Sequence, residues 1–242
     1  MEKEKENENK KEDEEMPNRT DVLKPNYESK LGTLDHWNEA YKQEIEQFKN
    51  NGNELGDIWF GKDLQKRLVN YIIKHYPDKN TKIFDVGFGN GVFLYKLAKN
   101  GYINLYGIDY SPDSLQLAKM IIESKEKKHG KEFKLNLFCE DINTQNKIIN
   151  ETFDIIHDKG SFDAYMMNNK NTLDNYYKYI KSYSKNGTIF IITSCNNTRE
   201  ELKSKFPIEK GFQFIEEIKN KTFVFGGQEG QQQATQIYKI IL

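Results

Sequence analysis

Between residues 82 and 109 the chain places a strand, a glycine turn, a helix and a second strand in an order that few folds accommodate. Lys82-Ile83-Phe84-Asp85-Val86 is a short apolar run, and Gly87-Phe88-Gly89-Asn90-Gly91 follows it directly. Val92–Lys99 then reads as a helix closed by Gly101, and Asn104-Leu105-Tyr106-Gly107-Ile108 as the next strand, ending in Asp109. Alternate glycines let the backbone bend sharply and let a ligand approach it closely. The helix N-terminus behind them favours a negative group. An acid closing the second strand, 22 residues after Gly87, is placed to accept both hydroxyls of a ribose. Strand, glycine turn, helix, strand and acid in this order predict a nucleoside site in a doubly wound α/β sheet.

The rest of the chain agrees. Leu34, Trp37, Tyr41, Ile45 and Phe48 recur at helical spacing, as do Leu64, Leu68, Val69, Ile72, Ile73 and Tyr76 before Pro77. The apolar stretch Ile58-Trp59-Phe60-Gly61 joins them. Ser111 suits a helix N-cap with Pro112 at the first helical position. Further strands are expected at Lys134–Asp141, Phe153–Asp158 and Thr188–Ser194, then at Phe212–Ile218 and Thr235–Leu242. Alternating strands and helices give a parallel sheet covered on both faces. The last two strands have no helical pattern between them, which predicts an antiparallel pair at the sheet edge.

Charge and cysteine content narrow the partners. Net charge is −1, so the molecule carries no polyanion-binding signature, and direct nucleic-acid binding is not expected. Residues 1–28 are Glu, Lys and Asn with little to bury, and are expected to form a disordered acidic tail. Cys139 and Cys195 form no disulfide framework, and with His36, His75 and His129 make no metal-ligand spacing. A buried, inert thiol is the expectation for Cys195. The start is charged rather than apolar, and no run is long enough to span a membrane, so a cytoplasmic protein is expected.

The ligand follows from a departure. A dinucleotide fingerprint reads GxGxxG, whereas this turn reads GxGxG with Val92 at the third-glycine position. Asp85, two residues before the first glycine, would repel a pyrophosphate but suits a ligand carrying an ammonium and a sulfonium. That ligand is S-adenosylmethionine, with S-adenosylhomocysteine as product. The turn resembles the first motif of Rossmann-like methyltransferases, which implies a mostly parallel seven-stranded sheet with an antiparallel last strand. Glu140-Asp141-Ile142 then falls where such enzymes hold adenine, and Asp158-Lys159-Gly160 beside the methyl group; a helix cap at Asp141 and a plain turn at Asp158 are the alternatives.

More specific segments occur in order: Ser29–Thr33, Trp37, Ile58–Gly61, Gly89–Leu94, Gly107–Pro112, Asp158–Gly160, Phe162–Ala164, Ile192–Asn196 and Phe223–Gly227. Together they resemble the protein-lysine methyltransferases acting on translation elongation factor 1-alpha, over about residues 29–242. The resemblance implies elongation factor 1-alpha as partner, a methyltransferase domain at 29–242 and a monomeric enzyme. Donor contacts are expected from Trp59, Asp85, Gly87, Gly89, Gly91, Asp109, Tyr110, Asp141, Ile142 and Asp158. Asp158 is also assigned to orienting the acceptor. No metal is expected.

The acceptor class has its own signal. Enzymes acting on planar nitrogens often carry an Asn/Asp-Pro-Pro-aromatic run after the fourth strand, and this chain has Asp158-Lys159-Gly160-Ser161-Phe162. A flexible amine fits that turn better than a base. A small-molecule or nucleic-acid methyltransferase on the same fold is the alternative. Trp37, Trp59, Phe60, Phe162, Phe223 and Phe225 are candidates to line a cation channel, although core packing also accounts for Trp37. His157 reads as a core imidazole rather than a base. Phe223–Gly227 reads equally as a lid or as a plain hairpin connection.

Overall fold

A computed structural model describes residues 29–51, 56–144, 147–219, 222–225, 228–231 and 233–242. The expected tail at 1–28 lies outside these residues. Two helices come first, α1 (Leu34–Asn51) and α2 (Gly61–His75), followed by β1 (Lys82–Val86), α3 (Val92–Lys99), β2 (Asn104–Asp109), α4 (Pro112–His129) and β3 (Leu135–Cys139). After these come β4 (Phe153–Lys159), α5 (Ser161–Met166), α6 (Leu173–Ser182), β5 (Ser184–Ser194), α7 (Arg199–Lys205) and β6 (Phe212–Glu217). The chain continues through β7 (Thr222–Phe225), β8 (Gln228–Gln231) and β9 (Ala234–Ile240).

Seven strands form one sheet in the order β3-β2-β1-β4-β5-β9-β6. The first five pair in parallel, and β9 lies antiparallel between β5 and β6. The expected Rossmann-like architecture and its antiparallel edge are both present. β7 and β8 form a separate antiparallel pair; of the segment Phe223–Gly227, residues 223–225 lie on β7 and residues 226–227 lie outside the described residues. The side chains of Phe223 and Phe225 lie outside what the structure describes.

Strand alternation sorts the core. Neighbouring residues of a strand point to opposite faces of the sheet. Phe84, Ile156, Phe190, Ile192 and Tyr238 pack with Phe162, Tyr176 and Phe206 from the side of α5–α7. Ile83, Ile155, Ile191 and Ile237 pack with Leu64, Leu68, Phe93 and Leu97 of α2 and α3. Burying each such side chain fully is worth about 1.5–3 kcal/mol, so the sheet is clamped from both sides.

The connection order reverses at β1, which has β2 on one side and β4 on the other. In open α/β sheets ligands bind outside the carboxyl ends of the strands at such a point. Register aligns Val86 with Ile108 and with Asp158, so β1, β2 and β4 end at one level. Ser111 caps α4 as expected, its hydroxyl accepting from Ser114 N at 3.2 Å, and it donates to Asn38 Oδ1 of α1 at 2.7 Å. That second bond ties the first helix across the strand ends.

Candidate active site

A cavity of about 380 Å³ opens at this level, walled by the ends of β1, β2 and β4 and roofed by α1 and the Ile58–Trp59 turn. Trp59, Asp85, Gly87, Gly89, Asp109, Tyr110, Asp141 and Ile142 all line it. Eight of the residues expected to contact a donor, drawn from four separate stretches of sequence, therefore line one cavity.

The glycine turn is held against β2. Gly87 N and Phe88 N both donate to Ile108 O, at 2.8 and 3.0 Å. Gly89 has φ +56°, a conformation that glycine adopts without strain, and its N–H donates to Asp109 Oδ2 at 3.0 Å. The other oxygen, Oδ1, accepts from Ser111 N at 3.0 Å. Two backbone donors thus fix the Asp109 carboxylate at the cavity edge. Burial pushes its pKa up to about 6, against the pull of those two bonds.

Gly91 serves differently. It precedes α3 with φ +71°, and a Cβ there would sit 3.0 Å from the Ala118 Cβ of α4. It lets α3 and α4 pack closely and is not on the cavity wall.

Asp158 is not brought to the wall either. Its carboxylate is wholly buried, with Oδ1 accepting from Phe162 N at 3.1 Å and Oδ2 from Tyr176 O–H at 2.7 Å. Burial raises its pKa to about 7. Direct orientation of an acceptor by Asp158 does not match this sealed position. Phe162 is likewise fully buried in the core against Tyr176 and Phe206, rather than lining a channel. The reason is parity: Ile156 and Asp158 face α5 and α6, whereas His157 and Lys159 face the opposite side.

Lys159 is on the wall that Asp158 was expected to form. Its Nζ donates to Trp59 O at 2.9 Å and stands 5.7 Å from the centre of the Phe60 ring. Burial lowers its pKa to about 8, although Asp85, Asp158 and Asp57 oppose the shift. Tyr41 and Glu44 of α1 and Gln65 of α2 also line the cavity without having been anticipated. Burial raises the Glu44 carboxyl to about 7. Their helical spacing assigned these helices to packing and gave no sign that polar positions turn inward.

Aromatic rings close the roof. Trp37 and Trp59 meet edge to face with centroids 5.5 Å apart, and Trp37 Nε1 donates to Leu31 O at 2.8 Å. Both line the cavity, so Trp37 is wall rather than core. Tyr110 O–H donates to Thr33 O at 3.0 Å, which anchors the segment entering α1.

At the third strand, Asp141 Oδ1 accepts from Asn143 N at 2.8 Å in a tight turn, while its side chain stays on the cavity wall. Glu140 is engaged elsewhere, with Oε1 accepting from Tyr179 and Tyr183 hydroxyls at 2.7 and 2.8 Å and Oε2 from Ile148 N at 2.8 Å. His157 is the expected core imidazole, fully buried. Cys139 and Cys195 are free and exposed, which corrects the burial expected for Cys195. Among the described residues no group of three or more His, Cys, Asp or Glu is placed to hold a metal ion.

The sheet order and the strand-end cavity define a Rossmann-like methyltransferase. Residues 77–240 match a methyltransferase domain family. The ChlM magnesium protoporphyrin IX methyltransferase of Synechocystis, solved with bound SAH, superposes with TM-score 0.56 over 86% of this chain and 97% of its own, at 10% identity. Sequence relatives are narrower in kind. EEF1A lysine methyltransferase 2 of Homo sapiens is 40% identical over 214 residues, covering 87% of each chain. Protein-lysine N-methyltransferase EFM4 of Saccharomyces cerevisiae is 32% identical over 215 residues, covering 84% of this chain and 91% of its own. This chain belongs to the EEF1A lysine methyltransferase 2 family.

Proposed function

We propose that this enzyme transfers a methyl group from S-adenosylmethionine to a lysine side chain of elongation factor 1-alpha, leaving S-adenosylhomocysteine. Asp85 and Asp109, brought to one cavity wall at the ends of β1 and β2, carry the donor assignment. The names of its relatives support the acceptor.

The residues present fit the donor. The Asp109 carboxylate, held by two backbone N–H groups, accepts from ribose hydroxyls on its remaining lone pairs. Asp85 receives the α-ammonium. Asp141 and Ile142 take the adenine, one through its exocyclic amine and the other against the ring face. Trp37 and Trp59 offer ring faces to a cation.

When bound, S-adenosylmethionine supplies a methyl carbon already activated by its sulfonium. The protein's work is alignment and exclusion of water, and positioning alone can supply roughly 7–11 kcal/mol of a barrier. The acceptor must also be neutral, since a lysine ammonium with a pKa of about 10.4 has no free pair. Burial beneath the Trp37–Trp59 roof favours the neutral amine, and Lys159, a cation on the same wall, disfavours a second positive charge there. The reading carries with it a cytoplasmic, monomeric enzyme. No helix among the described residues is long and apolar enough to cross a membrane.

Labelled donor incubated with elongation factor 1-alpha should mark the protein, and blocking its lysines should abolish the label. Label that persists after blocking, or that appears on RNA or small molecules instead, would overturn the acceptor. Calorimetry should show S-adenosylhomocysteine binding and no heat with NAD.

A further inference from the structure

We infer that His157 is a positioning residue for the methyl donor, holding the Asp85 carboxylate in the orientation that receives the donor's α-ammonium. The inference rests on the reading that this cavity takes S-adenosylmethionine. Nothing in the core requires a histidine here. Its place on β4 faces the apolar side formed by Ile83, Ile155 and Phe93, where a Val or Ile would pack.

Geometry makes the pair. Asp85 and His157 are register partners across β1 and β4, so their side chains leave the sheet side by side on the same face. Nδ1 lies 2.7 Å from Asp85 Oδ1, with the two side chains 0% and 4% exposed. The imidazole is stacked on Phe93 at 3.9 Å between centroids and 17° between planes. A hydrogen bond to the Asp85 carboxylate on one edge and ring stacking on a face leave the imidazole little freedom. The carboxylate it holds is equally constrained.

Nε2 is buried and has no hydrogen-bond partner among the described residues. An ionised carboxylate only accepts, so Nδ1 carries the proton. With Oδ1 occupied by His157, Oδ2 is the oxygen available to a cation in the cavity, whose wall Asp85 forms. An aliphatic residue in this place would leave the carboxylate free to rotate.

Two ligands separate this role from general support of the fold. S-adenosylhomocysteine carries the α-ammonium, whereas 5′-methylthioadenosine has the nucleoside and thioether without the amino-acid end. Titrated into the full chain, His157→Phe should weaken S-adenosylhomocysteine about tenfold, as expected for loss of one charge-assisted hydrogen bond. Binding of 5′-methylthioadenosine should stay within about twofold. His157→Asn, whose amide N–H falls near the Nδ1 position, should restore most of the loss, and His157→Gln, whose amide falls near Nε2, should not. In an Asp85→Asn background, His157→Phe should add little.

Equal weakening of both ligands, or an unchanged affinity for both, would overturn the inference. If His157→Phe does not fold, the Asn and Gln variants carry the comparison, and equal affinities for those two would also overturn it. A wild-type chain that binds neither ligand would refute the donor reading instead.

Discussion

Asp109 and Asp158 lie at the ends of β2 and β4, the two strands that flank β1, and burial raises the pKa of both, to about 6 and about 7. Each carboxylate accepts two hydrogen bonds from the protein. At Asp109 both donors are backbone N–H groups of turns that border the cavity. At Asp158 one donor is the Tyr176 hydroxyl, projected from α6 on the far face of the sheet. A strand-end acid thus becomes cavity-facing or sealed in the core according to the face its strand presents there. Partners made of turn backbone leave lone pairs for a ligand, and a partner on a packed helix seals them away.

Removing the first acid should have the largest effect. Asp109→Ala is expected to weaken S-adenosylhomocysteine by about 100-fold, from the loss of charge-assisted bonds to two hydroxyls at about 1.5 kcal/mol each. Calorimetry measures this, and normal binding would remove Asp109 from the ribose. Asp158→Asn should instead act on stability. A carboxyl whose folded pKa is raised binds more protons folded than unfolded, so its contribution to stability falls as pH rises from about 4 to about 7. Between pH 5 and pH 8, wild type should therefore lose on the order of 2 kcal/mol relative to Asp158→Asn in urea melts. Donor affinity in that variant should remain within about twofold. A collapse of turnover in folded Asp158→Asn, with donor binding intact, would return Asp158 to the acceptor.

The smallest effect is the one that needs no variant. As pH falls through about 6, Asp109 takes up a proton and loses its capacity to accept from the ribose. Donor affinity should decline by less than tenfold per pH unit below that point, and the decline should be absent in Asp109→Ala. An unchanged affinity down to pH 5 would blur the contrast between the two acids.

Most of the sheet was legible because apolar runs stand between glycines and polar turns. β5 begins at Ser184, which pairs with Phe153, rather than at Thr188, since Lys185, Asn186 and Gly187 do not read as a strand. β3 stops at Cys139, where Glu140 turns inward to Tyr179 of α6 and to Tyr183 just past its end. Helix α6 was legible but not read out: Tyr176, Tyr177, Tyr179 and Ile180 are its buried face.

The site was legible where a motif specifies backbone, at Gly87, Gly89 and Asp109. It was misread where position along a strand stood in for direction. Alternation alone places Lys159 with His157 and Ile155, on the face opposite Asp158. The roof residues Tyr41, Glu44 and Gln65 depend on how α1 and α2 cross the strand ends, a tertiary fact with no local signature.

The insertion of β9 between β5 and β6 sets an order of assembly. β6 has no hydrogen-bonded neighbour in the seven-stranded sheet except β9, which follows it in the chain. During synthesis β6 emerges with no partner to receive it and waits, one edge of the sheet unfinished, until β9 slots in beside β5 and captures it. The nucleoside end, built from β1 to β4, can condense well before that, so a ribosome-bound chain would own most of its donor pocket while its far margin is still open.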